Sequence, residues 1–553
     1  MNPGIRQWIA SGAPWVWLNA AAVSACILLV AGLLALIAWR GLGHFWPAPV
    51  YEVVLTNESG VNTTLAGIER DAEVVPAERL REAGMAIDPE VDEVRRILLK
   101  TGNRDVTGED FVWIIEPAIA LKERPNNLVV VERTEWGAFI GRLIAVREDG
   151  VTLAQSDAWQ AFLERLSRAD ALRAEIKQLE TDEIGSVNYQ LERLRLNERR
   201  MEIDGADDEA QRAAIEAERE NLAARYASME EALIRLNEEI QRDSVVMRTA
   251  GGEEVELPIS TILDAWRPND MNIAEKVGHY VHKAWEFVSD DPREANTEGG
   301  IFPAIYGTIL MVLLMSVLVT PLGVIAAVYL KEYAKQGLLT RTIRIAVNNL
   351  AGVPSIVYGV FGLGFFVYTL GGSLDRLFFP EALPSPTFGT GGLFWASLTL
   401  ALLTLPVVIV STEEGLARIP RTIREGSLAL GATRWETLWQ TVLPMASPAI
   451  MTGMILAVAR AAGEVAPLML VGVVKLAPSL PLDGNYPFLH PERKFMHLGF
   501  HIYDVGFQSP NVEAARPLVY ATALLLVIVT ILLNLLAIRI RNRLREKYRG
   551  LEV

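Results

Sequence analysis

The sequence predicts a mainly α-helical, polytopic membrane protein with six transmembrane helices and a large extracytoplasmic α+β insertion carrying a coiled-coil hairpin. Three observations predict it. The 553 residues are 51% hydrophobic, too many and too apolar for one soluble domain. Six segments, about 15–39, 302–330, 348–370, 393–412, 446–472 and 516–538, supply the roughly 20 apolar residues that a helical span needs. Lys and Arg then cluster in alternate short loops: Lys331, Lys335, Arg341 and Arg344; Arg418, Arg421, Arg424 and Arg434; and Arg539 to Arg549. With six spans all three clusters face the cytoplasm, and both termini with them.

The first apolar run is longer than a signal-peptide core, and Ala38-Trp39-Arg40 offers no small-x-small cleavage site, so it reads as a retained anchor. Pro321 predicts a kink low in the second span. The sole cysteine, Cys26, excludes an intrachain disulfide. These signals divide the chain into 1–46 with the first span, an insertion over 47–300, a five-helix core over 301–545 with a cytoplasmic loop at 413–445, and a tail at 546–553. The insertion holds 53 Asp and Glu against 30 Lys and Arg, a net −23, which leaves +8 on the rest and makes the overall −15 a property of the insertion. A loop this long translocates regardless of charge, so orientation rests on the short loops.

Within the insertion, β-branched and polar residues alternate near 109–116 and 128–154, with an Asp149-Gly150 turn, and again at 244–259 around Gly251-Gly252. Residues 159–241 switch to helical spacing. Leu222, Tyr226, Met229, Leu233, Leu236 and Ile240 step by three and four, which predicts the seam of an antiparallel coiled coil about 50 Å long. Residues 203–208 form its reversal, and Gly185-Ser186 interrupts the first arm. The expectation is a solvated stalk, with a protein-docking arm as the alternative.

Residues 425 to 444, EGSLALGATRWETLWQTVLP, are punctuated more closely than a passive loop requires. A helix from Thr422 ends at Gly431, which supplies a left-handed residue. Thr433 and Glu436 form a T-x-x-E capping box. Trp435, Leu438, Trp439 and Val442 then make one apolar stripe, and Leu443-Pro444 stops the second helix. A headgroup-resting amphipathic helix and a partner groove both suit that stripe; the fixed helix-Gly-helix frame favours the groove.

Glu425-x5-Gly431-x11-Leu443-Pro444 resembles the EAA loop of ABC importer permeases, E-A-A-x3-G-x9-I-x-L-P, with Gly426 and Ser427 in place of the alanines and Thr441 in place of Ile. GGIFPAIYGT at 299–308, NLAGVPSIVYGVFGLG at 349–364 and MTGMILAVARAAGEVAPLML at 451–470 narrow the resemblance to the phosphate-importer, PstA-type branch, over about residues 299–545. The resemblance implies the type I importer fold in the bacterial inner membrane, with residues 47–300 periplasmic. It also implies a heterodimer with a sister permease, two copies of an ATP-binding subunit docked on Glu425, Gly431, Trp435, Leu438, Trp439, Leu443 and Pro444, and a periplasmic phosphate-binding protein. ATP and Mg would sit on the partner ATPase, and this chain, a non-catalytic subunit, would bind no cofactor. The other implied partner is the lipid bilayer, with no nucleic acid.

The sequence agrees in having no G-x4-G-K-[ST] and no H-E-x-x-H. His497 and His501, four apart in an extracytoplasmic loop, read as solvated rather than metal-bound. A membrane-anchored receptor would need a cytoplasmic signalling domain for which the loops are too short, and a secondary transporter would need no docking helix pair. Sulfate, molybdate and phosphonate are the rival substrates.

The last expectation concerns charge inside the fifth span. Counted from Pro444, Arg460 lies roughly 24 Å along the helix, deep in the hydrocarbon, and Gly453, Ala457, Arg460 and Glu464 share one face. Intramembrane ions cost at least about 2.5 kcal/mol, so the pair is either a structural lock or a pathway element. As the latter, Arg460 offers its guanidinium fork to the anion and Glu464 holds it between passages, with Tyr358 and Ser355 as weaker members of the same path.

Overall fold

The computed structural model describes residues 10–56, 62–82, 84, 87–154, 158–205, 209–509 and 512–548. The expected extreme N-terminus, the centre of the hairpin reversal and most of the tail beyond 545 lie outside these residues. Six helices are long and apolar enough to cross a membrane: Ala13–Gly43, Phe302–Tyr333, Ser355–Phe378, Leu393–Arg418, Arg434–Ala462 and Ala515–Glu546. The fourth is the most enclosed, two-thirds buried, and packs on the second and fifth. Glycines set that packing. A Cβ at Gly323 would stand 2.5 Å from Val408 Cγ1, and one at Gly453 only 2.2 Å from Ser411 Oγ. Small residues at helix crossings let backbones approach where lipid supplies no hydrophobic drive. The first span is mostly exposed and lies along the sixth, with Gly41 against the Tyr520 backbone and Arg40 over the Tyr520 ring.

Two spans depart from expectation. The third begins at Ser355 instead of 348, because Gly352 and Pro354 separate it from an amphipathic helix, Leu338–Leu350. A residue before proline is driven out of the helical region, which ends that helix early. The fifth begins at Arg434, a dozen residues before 446, and ends at Ala462, ten before 472. Pro444 therefore does not stop the second helix of the loop. A wide turn over Leu438–Val442, in which Leu443 N–H donates to the Leu438 carbonyl, absorbs the missing donor and carries the helix through.

The insertion is built on two sheets. The first has the order β4-β3-β2-β1-β5, from β1 (Val50–Thr56), β2 (Asn62–Pro76), β3 (Glu93–Lys100), β4 (Phe111–Ile115) and β5 (Ile119–Glu123). The second has the order β10-β9-β7-β6-β11, from β6 (Leu128–Arg133), β7 (Phe139–Glu148), β9 (Asp243–Arg248), β10 (Glu254–Pro258) and β11 (Ile262–Trp266), with β8 (Val151–Ala154) on β7. The Asp149-Gly150 turn forms as expected, with φ of 48° and 77°.

The helical hairpin between β8 and β9 runs out along Ala158–Gln178, a wide-turn segment Leu179–Ile184 and Gly185–Asp204, turns at Gly205 (φ 65°), and returns along Glu209–Ile240. Gly185 does not interrupt it; the irregularity is the six residues before, and Gly185 itself is helical at φ −58°. Leu222, Leu236 and Ile240 of the expected seam are buried.

The hairpin is not a free stalk. Its base is core: Phe162, Leu166, Ala169 and Leu172 pack with Leu236 and Ile240 against Val129, Phe139 and Val245 of the second sheet. Farther out, Tyr189 Oη donates to the Tyr486 carbonyl at 2.8 Å and its ring meets His490 edge-on. Arg200 lies 3.6 Å from Glu381. The hairpin is therefore seated on the loop between the third and fourth spans and on that between the fifth and sixth. Asn296, bonded to the Lys475 carbonyl and Asp504, places the insertion's end on the same side. At the opposite end, Arg424 pairs with Glu332 at 2.9 Å and Arg344 with Glu413 at 3.3 Å.

Phe162→Ala should lower stability by about 3–5 kcal/mol, through loss of buried area and the cavity left behind. Tyr189→Phe, losing one exposed hydrogen bond, should cost about 1 kcal/mol or less. Denaturant titration of the purified chain separates the two; equal effects would contradict a hairpin whose base is core and whose outer part is a docked surface.

Candidate functional site

The helix pair at the end away from the insertion is assembled from short-range rules. Arg421–Ala429 forms the first helix, and Gly431, at φ +92°, reverses the chain. Thr433 Oγ1 accepts from Glu436 N–H while Glu436 accepts from Thr433 N–H at 2.7 Å, the expected reciprocal cap. Ser427 and Thr437 hydroxyls, 2.9 Å apart, tie the two helices together. Arg424 fastens the first helix to the bundle through the Leu416 and Ile419 carbonyls as well as Glu332.

The expected single stripe is split. Leu438 and Val442 are buried with Val328, Leu416 and Ile419, and Leu443 packs beside them. Trp435 and Trp439 are 62% exposed, stacked on each other with ring centroids 5.9 Å apart. The wide turn beginning at Leu438 adds a residue to the helical repeat and so rotates the two kinds of side chain apart. Leu430 beside them is 90% exposed, and Glu425 is exposed on the first helix. The exposed part is an aromatic and aliphatic knob held on a buried stem. Pro444 lies just inside the helix, partly buried.

Farther along the same helix, Gly453 and Ala457 are buried, Gly453 against Ser411 and Val408 of the fourth span. Arg460 occupies the last turn, but Glu464 is not on the helix: Gly463 closes it, ahead of Pro467, and Glu464 N–H donates to the Ala461 carbonyl. The pair nevertheless forms, Arg460 Nε to Glu464 Oε1 at 3.5 Å, with both side chains partly exposed. This is a single long contact, which leaves most of the guanidinium's donors uncommitted. Tyr358 is buried on the third span. Its hydroxyl donates to the Leu350 carbonyl at 2.6 Å. The neighbouring Gly359 packs on Pro467, where a Cβ would stand 2.7 Å from its Cα. Arg460 and Glu464 thus come together, and the segment that follows them packs on the third span beside Tyr358, while Ser355 sits a turn away at the start of that span, partly exposed.

His497 and His501 are buried instead of solvated. His497 caps Leu498–Tyr503, its Nδ1 accepting from Gly499 N–H, and His501 Nδ1 lies 3.4 Å from Thr522 Oγ1. Burial holds each imidazole down at about 4, so both are neutral. Sequence spacing carried no signal for this, since the burial comes from Thr308, Val465 and Thr522, all distant along the chain or on other elements.

Residues 319–550 match the family model described as the binding-protein-dependent transport system inner membrane component. The phosphate transport system permease protein PstA 1 of Mycobacterium tuberculosis is 37% identical over 247 residues, covering 44% of this chain and 71% of the relative. The chain belongs to that transport family. The phosphate transport system permease protein PstA of Yersinia pestis is 33% identical over 252 residues, covering 45% of this chain and 75% of the relative. Among solved structures, the inward-facing MetNI methionine ABC transporter aligns over 44% of this chain and 94% of that one, at 20% identity and TM-score 0.32. The family match thus runs from within the second span through the sixth, and the chain is a multi-pass inner-membrane permease subunit.

Two outcomes follow. Gly431→Val places a β-branched residue in the left-handed region at a cost of about 1–2 kcal/mol, and amide hydrogen exchange over 425–433 should rise while the spans stay protected. For the histidines, the unfolded chain binds protons at about 6.5 and the folded chain only near about 4, so stability is complete above the first value and lost as pH falls toward the second. Thermal unfolding at pH 7.5 and 5 should show this loss, reduced in His497→Gln; an unchanged difference would contradict it.

Proposed function

We propose that this permease carries inorganic phosphate inward across the bacterial inner membrane. In this reading it pairs with a sister permease, and two copies of an ATP-binding subunit hold ATP and Mg and receive the exposed Trp435–Trp439 knob. A phosphate-binding protein delivers the anion on the insertion side. The termini are then cytoplasmic and residues 47–300 periplasmic, in keeping with the Lys and Arg of the loops at the far end from the insertion.

One observation carries the proposal: a single helix, Arg434–Ala462, has the exposed aromatic pair in its first two turns and Arg460 in its last. Movement imposed at the knob is delivered to the cation. The phosphate reading is supported by the names of the relatives and by the chemistry of Arg460, whose fork matches a tetrahedral oxyanion and whose only ionic partner among the described residues is one long contact. Glu464 competes with the anion for that fork, so Arg460 does not hold its cargo permanently.

Arg460→Gln should reduce phosphate uptake by the reconstituted complex at least about tenfold, the worth of one charge-assisted interaction, with assembly intact. The exchanged pair, Arg460→Glu with Glu464→Arg, should not restore it. Restored uptake would make the pair a structural lock, and equal inhibition by sulfate, molybdate or phosphonate would move the substrate to another oxyanion.

A further inference from the structure

Where the insertion meets the membrane end of the bundle there is a cavity of about 600 Å³. Its outer wall is the two sheets with the first arm of the hairpin, and its inner wall is formed by the segment leaving the first span, the helix Ile273–Ser289 and the start of the sixth span. The two walls differ in chemistry. Phe45, Trp46, Phe287, Ala515, Pro517 and Leu518 line the side next to the spans; Arg70 and Lys100 come from the sheets, and His44, at the end of the first span, lies near them.

Of the carboxylates around this space, that of Asp290 accepts, among the described residues, only from Ser289 Oγ at 2.8 Å, and the others are paired with cations, Asp170 with Arg173 among them. Lys283 Nζ lies 2.7 Å from Glu132, 2.7 Å from Asp264 and 2.8 Å from Glu286, and Arg293 also binds Glu132. Opposite charges this close hold the Glu132 carboxyl down at about 2, against the effect of its burial. The ligand atoms of Asp264, His282 and Glu286 approach within 4.8 Å of one another, but the tethered ammonium of Lys283 already fills the place a metal ion would take. Glu298 is bound to Lys100 at 3.6 Å.

Arg70 is different. It is the extra residue of a bulge, where β2 slips against β3 between Glu69 and Asp71. Among the described residues its guanidinium has no hydrogen bond or ion pair; the acid whose charge it feels is Glu298, already held by Lys100. Beside it, His44 Nδ1 is buried without a hydrogen-bond partner. Burial, with Arg70 and Lys100 close by, holds that imidazole at about 3, so it is neutral and has one N–H to give. A polar atom such as His44 Nδ1, buried without a partner, is costly unless something binds it, while Arg70, exposed on its strand, keeps an uncommitted charge open to an incoming anion.

We propose that this cavity is a binding site for a phosphate-bearing anion, with Arg70 and His44 taking the phosphate oxygens and Lys100 adding charge. The volume exceeds what a bare oxyanion fills and suits a larger molecule. The apolar wall beside the first and sixth spans suits the glycerol and acyl portion of a phospholipid. The site lies apart from Arg460 and does not depend on which solute the spans carry. Filled, it would cement the insertion to the spans it leans on.

The test uses the full chain, delipidated and titrated in detergent with phosphatidylglycerol in one arm and inorganic phosphate in the other, read by native mass spectrometry and by calorimetry. Arg70→Gln removes no contact within the fold, and an unchanged unfolding midpoint confirms that. At least one ligand should bind about tenfold more weakly to Arg70→Gln, with Arg70→Lys intermediate. Weakening in the lipid arm identifies a lipid site, and weakening in the phosphate arm alone identifies a site for the free ion. Equal affinities of the native chain and Arg70→Gln in both arms would overturn the proposal.

Discussion

The continuity of the helix Arg434–Ala462 through Pro444 and Pro448 is the constraint on which the other features depend. A helix in lipid must satisfy its own polar groups, so an interruption at the membrane surface would be expensive, yet Pro444 removes a donor just there. The wide turn at Leu438–Val442 resolves the conflict by lengthening the ring that closes on Leu438. The same turn buries Leu438 and Val442 while leaving Trp435 and Trp439 outside. A loop helix and a span thereby become one rod of 29 residues, about 43 Å long.

The rod is guided along its length. Gly453 lets it lie directly on the fourth span, which is itself pressed on the second through Gly323. Around the knob, Arg424–Glu332 and Arg344–Glu413 bind the loops to one another, so the helix pair is positioned by the bundle and only its aromatic tip is free. At the other end the chain leaves the helix at Gly463 and folds against the third span, where Pro467 packs on Gly359, and this brings Glu464 back to Arg460. The insertion adds a second layer of restraint, since its hairpin rests on the loops that join these same spans.

Much of this was legible wherever local chemistry decides. The T-x-x-E cap and the glycine reversal are set within a few residues, and both form. Apolar length alone located the second, fourth and sixth spans to within a few residues at their starts. The hairpin strands around Asp149-Gly150 and Gly251-Gly252 declare themselves by alternation and turn residues. What the sequence hid is decided by distant partners. Strands β2 and β3 carry many charges because their cross-strand pairs are ionic, as in Arg96–Glu73, so they lack an apolar signature. Pro444 reads as a stop until a wide turn is allowed for. Glu464 keeps its contact with Arg460 although the helix that was to deliver it has ended. His497 and His501 look like surface residues until Thr308 of the second span, Val465 and Thr522 of the sixth span close around them.

The claim that one rigid helix links the knob to Arg460 is tested most directly by softening the rod between them. Replacing Ile455 and Leu456 with glycine lowers helix propensity by about 1 kcal/mol per site and leaves both ends unaltered. In the assembled, reconstituted complex the account predicts that ATP hydrolysis persists while phosphate import falls, so that the number of anions moved per ATP drops several-fold. Import per ATP equal to that of the native chain would contradict it.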